Sequence, residues 1–128
     1  MMVKLDSKKD KAMAGKDGKA EVLPDCLGKA QKMMELIDYA NDSIVSKTLL
    51  DKSVGTITLF AFDKGQKLSE HTAPYDAVVQ ILDGKAQIRI KDDINELFEG
   101  QIIIMPANVP HAVNASDRFK MLLTMIRA

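Results

Sequence analysis

From Ile44 onward the chain consists of short runs of β-branched and aromatic residues cut by turn residues, and this cadence constrains the fold more than any other feature. Ile44–Leu50 and Thr56–Phe62 are two such runs. Ala77–Leu82 and Lys85–Ile90 are two more, separated by Asp83–Gly84. That dipeptide favours a two-residue hairpin, because both central positions of such a turn need positive φ. Lys91–Asp92–Asp93 and Gly100 mark further turns, Gln101–Met105 reads as a strand ending at Pro106, and Phe119–Ile126 is the last strand. Roughly seven or eight strands, with a turn about every eight to twelve residues, predict an all-β protein built as an antiparallel sandwich or barrel. At 128 residues the chain suits one domain, whose core needs neither disulfides nor a structural metal.

Residues 1–43 read as an N-terminal extension ahead of a β domain at 44–128. Residues 1–20 carry six lysines and three aspartates and almost no bulky apolar side chain, the composition of a solvated tail. Between Pro24 and Tyr39 the pattern turns helical. Asp25 is placed as an N-cap, and Leu27, Ala30, Met33, Met34 and Ile37 recur at spacings of three and four. A helix of about ten residues with one apolar stripe is expected there, lying on the outside of the core.

Charge excludes whole classes of partner. Eighteen basic and eighteen acidic residues leave a net charge of +0, so nothing draws the chain as a whole toward nucleic acid or an anionic membrane. No apolar run has the length of a bilayer span, and Met1–Asp6 passes straight into Lys/Asp-rich sequence without the apolar segment of a signal peptide. The single cysteine, Cys26, cannot form an internal disulfide. A cytoplasmic protein is expected.

The strands also bear on assembly. Ile88 and Ile90 alternate cleanly with Gln87, Arg89 and Lys91. Ile102–Met105 and Met121–Leu123 are apolar at both parities, so both of their faces should be covered. A homodimer, joined through Ile102–Met105 or Met121–Ile126, is the expected cover.

The chain has two histidines, His71 and His111, forty residues apart. His71 lies six residues after Gly65 and thirteen before Gly84; His111 follows Gly100 and Pro106. In these two segments the sequence resembles the cupin family, whose first motif runs G-x5-H-x-H-x3–4-E-x6-G and whose second runs G-x5-P-x-G-x2-H-x3-N. Gly65, His71 and Gly84 fall at the spacing of the first, and Gly100, Pro106 and His111 at that of the second. The resemblance implies a double-stranded β-helix (jelly-roll barrel), here with a short N-terminal helical extension. It also implies a metal, Zn, Ni, Fe or Mn, held by three His and one Glu.

Two of those four ligands are missing. Ala73 stands for the second His and Ala77 for the Glu; Asn108 replaces the Gly of the second motif, and Asn114 comes one residue before its Asn position. Asn is the next-best residue after Gly where positive φ is needed. If the strand runs unbroken from 71 to 77, His71, Ala73, Tyr75 and Ala77 share the barrel interior, with Glu70 and Asp76 opposite. A bulge at Pro74 would bring Asp76 inward.

His71 and His111 are therefore the candidate metal ligands, an incomplete pair expected to meet at one barrel mouth, with Tyr75, Ala73 and Ala77 lining a pocket. The reading that follows is a cupin that binds a small organic molecule, metal-free or weakly metallated. The alternative is a metal-dependent enzyme of dioxygenase or isomerase type. No phosphate loop, nucleophile elbow or HExxH motif competes.

Overall fold

The computed structural model describes residues 2–4 and 21–127. Nine strands run through them: β1 (Met2–Lys4), β2 (Ile44–Lys52), β3 (Gly55–Phe62), β4 (Lys67–His71), β5 (Ala77–Ile90), β6 (Asp93–Phe98), β7 (Ile102–Met105), β8 (His111–Asn114) and β9 (Phe119–Ile126). All pairings are antiparallel, in the order β1-β2-β3-β9-β5-β8-β4, with β6 and β7 each paired to β5. The chain is an all-β curled sheet of jelly-roll type. The solvated tail expected over residues 1–20 lies outside the described residues except at Met2–Lys4, which form β1.

β5 joins the two walls of the roll. Its first half pairs with β7 and β9, its second with β6 and β8. This overturns the hairpin expected at Asp83–Gly84, because the strand runs straight through. Gly84 takes φ 76° at a bulge where the register with β9 shifts between Ile81 and Asp83. The shift has a purpose visible in the burial pattern: Ala77, Val79 and Ile81 point inward before it, and Ala86 and Ile88 after it. One extra residue moves the inward set from odd to even numbers, so both halves present their apolar side chains to the same core. A hairpin and a bulge make the same local demand for positive φ. The partner strands decide between them.

The main core lies between the walls, around Phe62 and Phe119, which are register partners with stacked rings 4.5 Å apart. A second cluster forms on the outer face of the sheet, where Ile37 packs with Val45, Leu59 and Ala61, and Leu122 borders them. The outer side of β9 at Leu122 is thus covered by the chain's own N-terminal segment.

That segment is not the helix its periodicity predicts. It contains two 3-10 turns, Pro24–Cys26 and Met33–Glu35, separated by Gly28 at φ 67°. Asp25 lies inside the first turn rather than capping it. Of the expected stripe only Ile37 is buried, while Leu27 is 66% exposed. The reason is competition for backbone carbonyls. Lys47 Nζ donates to the Leu36 carbonyl at 2.9 Å, and Lys120 Nζ to that of Met34 at 2.7 Å. An isolated helix of about ten residues is marginal in water, so these contacts with the sheet outweigh it.

Candidate functional site

His71 closes β4 and His111 opens β8, and the two are partners in the antiparallel ladder between those strands. Their Nε2 atoms face each other at 3.1 Å, with ring centroids 4.4 Å apart and ring planes at 72°. His111 is buried at 4% exposure, whereas His71 is exposed.

Each imidazole is held by the carbonyl two residues before it. His71 Nδ1 lies 2.7 Å from the Ser69 oxygen, and His111 Nδ1 lies 3.1 Å from that of Val109. A carbonyl only accepts, so in both rings Nδ1 carries the hydrogen and Nε2 of the neutral ring is a bare lone pair. When both rings are neutral, two acceptors therefore confront each other. Burial, above all, pushes the His111 pKa below the usual histidine value; the nearby His71 acts in the same direction, and the Val109 carbonyl opposes it.

Two loops set this geometry. Asn108 takes φ 63°, the left-handed conformation expected of it, and its backbone N–H donates to the Ala73 carbonyl at 2.7 Å. The next-door N–H of Ala107 donates to Asp76 Oδ1 at 2.8 Å. The turn before His111 is thereby fastened to the loop after His71. The Pro110 carbonyl then accepts from Lys91, which delivers His111 beside Ile90 of β5.

The family model that matches this chain is "Cupin domain", over residues 58–127. The chain belongs to the cupin family. Among solved structures, this cupin is 38% identical to a conserved protein of unknown function from Streptococcus pyogenes, covering 78% of this chain and 88% of that one, with a TM-score of 0.75. It is also 38% identical to a cupin 2 conserved barrel domain protein from Leptotrichia buccalis, over 73% of this chain and 45% of that one, at a TM-score of 0.71. A cupin superfamily protein from Desulfitobacterium hafniense is 26% identical over 84% and 96% of the two chains, at a TM-score of 0.76. A search of curated proteins found no match.

Against the family pattern, this cupin brings its two histidines together and leaves the other candidates apart. β4 ends at His71 and β5 begins at Ala77, so the unbroken strand that would align 71, 73, 75 and 77 is not formed. Ala73 is half-buried and serves through its carbonyl. Tyr75 is half-buried in the connecting loop, and Ala77 is packed in the main core. Neither nearby carboxylate reaches the pair: Glu70 accepts from Arg89 at 2.9 Å, and Asp76 from Ala107. Among the described residues no group of three or more His, Cys, Asp or Glu gathers. The four-ligand metal set of the family does not fit these residues, since a firm site wants three or more protein ligands.

Sequence reasoning missed the Ser69 and Val109 carbonyls. They are backbone groups, and no residue type announces them.

Proposed function

We propose that this cupin is a small-molecule-binding module whose polar anchor is the His71–His111 pair. The observation supporting it is the face-to-face placement of two Nε2 atoms 3.1 Å apart while both Nδ1 atoms are committed to carbonyls. Lone pairs at that distance repel until something bearing a hydrogen or a positive charge stands before them. The neutral pair accordingly favours a compact organic ligand that presents N–H or O–H groups, and disfavours a carboxylate.

A divalent ion is the other species that two such nitrogens accept. Two imidazoles hold it weakly, with the remaining positions left to water or ligand. The metal-dependent enzyme has less support, because half of its expected ligands are methyl groups. A cytoplasmic location accords with the free thiol of Cys26.

Imidazole nitrogen NMR of the full chain tests the anchor directly. In its neutral form each ring should be the Nδ1–H tautomer, and a neutral ring that carries its hydrogen on Nε2 instead overturns the reading. Titration with zinc or nickel supplies the second test. His71→Ala and His111→Ala should each weaken binding by about tenfold or more. Loss in only one variant means that the histidines do not act together.

A further inference from the structure

We propose that Asp76 is the positioning residue of the histidine pair: its carboxylate holds the turn that aims His111 at His71. This rests on the reading of that pair as the ligand anchor, and it adds the side chain that keeps the anchor set.

The need for such a residue arises where a ladder stops. Ala77 and Met105 are register partners between β5 and β7, and both are buried in the main core. One step beyond that pair stand Asp76 and Pro106. Proline has no N–H, so the backbone ladder cannot continue across this step. The Asp76 side chain bridges the interruption instead. Its Oδ1 accepts from the next donor along, the Ala107 N–H, at 2.8 Å. An ionised acceptor makes this a charge-assisted bond, stronger than one between two neutral backbone groups.

From Ala107 the hold passes to His111 within four residues. Asn108, at φ 63°, donates its N–H to the Ala73 carbonyl at 2.7 Å. The Val109 carbonyl that follows lies 3.1 Å from His111 Nδ1 and so fixes the tautomer that leaves Nε2 bare. Of the two bonds that fasten this turn to the loop after His71, one is between backbone groups and the other is made by Asp76. Asp76 itself is exposed, so its bond serves the turn rather than the core.

His71 is held differently. Its Nδ1 lies 2.7 Å from the Ser69 carbonyl, a contact within β4 that does not involve residues 106–110. Asp76 therefore governs one imidazole of the two, and this asymmetry separates positioning from general loosening of the fold.

Imidazole nitrogen NMR of the full chain at about pH 8, where both rings are neutral, reads the two histidines separately. In Asp76→Ala, His111 should pass from a single Nδ1–H tautomer to a mixture, while His71 keeps the wild-type pattern. Asp76→Asn retains an oxygen acceptor at the same reach and should restore the wild-type His111 signal. Exchange of the Ala107 amide should quicken about tenfold or more in Asp76→Ala, with the circular-dichroism spectrum still that of wild type. An unchanged His111 signal in the alanine variant overturns the assignment of Asp76 and leaves the reading of the pair intact. Equal change in both rings, loss of the native spectrum, or an asparagine variant as altered as alanine overturns it too. Wild-type rings without the Nδ1–H tautomer overturn the reading of the pair itself, and this inference with it.

Discussion

The Tyr39 hydroxyl donates to Asp83 Oδ2 at 2.7 Å and so ties the N-terminal segment to the bulge at the middle of β5. Burial, then the hydrogen bond to Asp83, pushes the Tyr39 phenol well above the usual tyrosine range, while the guanidinium of Arg118 over its ring pulls the other way. Absorbance titration of the phenolates should show one tyrosine that resists ionisation to high pH. Tyr39→Phe should remove that component and cost about 1 kcal/mol of stability, the typical value of one hydrogen bond. If the resistant component persists in Tyr39→Phe, the assignment is wrong.

Gly84→Ala should be among the most disruptive small substitutions in the protein. The position has φ 76°, and an added Cβ would run into the backbone carbonyl of Arg118. Backbone strain alone costs about 1–3 kcal/mol, and relief of the clash requires β9 to move. Urea unfolding should show a clearly lower midpoint. A wild-type midpoint would mean that β5 does not cross β9 as described.

Ile37 is the apolar anchor of the N-terminal segment, at 0% exposure against Val45, Leu59 and Ala61. Ile37→Ala should destabilise the fold by about 2–4 kcal/mol through lost burial and the cavity left behind. Met34→Ala, 39% exposed a few residues earlier, should cost far less. Comparing the two by chemical denaturation separates an anchored strap from a loosely resting one, in which both changes would be mild.

His111 gives stability a definite dependence on pH. Its folded pKa lies below the value of 6.5 that it regains on unfolding, so the unfolded chain takes up the proton more readily. The stabilisation is therefore fully present above about pH 6.5 and is lost as the pH falls from there through the lowered folded value. Thermal unfolding should show Tm declining below pH 6.5 in wild type, and His111→Gln should flatten that part of the curve. An unchanged slope in the variant would assign the effect to other groups.

How much of this was legible beforehand differs by kind of interaction. The order of runs and turns determined an antiparallel all-β chain, because alternation and turn chemistry are properties of neighbouring residues. The spacing of Gly65, His71, Gly100, Pro106 and His111 singled out both histidines, and Asn108 was readable as a left-handed residue because few side chains tolerate positive φ. Asp83–Gly84 was legible only as a demand for positive φ. Whether a hairpin or a parity-shifting bulge met that demand was decided by β9, a strand far along the chain that begins at Phe119. The Leu27–Ile37 periodicity was equally ambiguous. Its carbonyls were claimed by Lys47 and Lys120, the latter 86 residues from its acceptor, so a strap formed in place of a helix. The sequence alone thus singled out the two histidines. Only the tertiary structure decided that the two imidazoles meet with bare Nε2 atoms, because their tautomers are set by the Ser69 and Val109 carbonyls, and backbone groups are the same in every sequence.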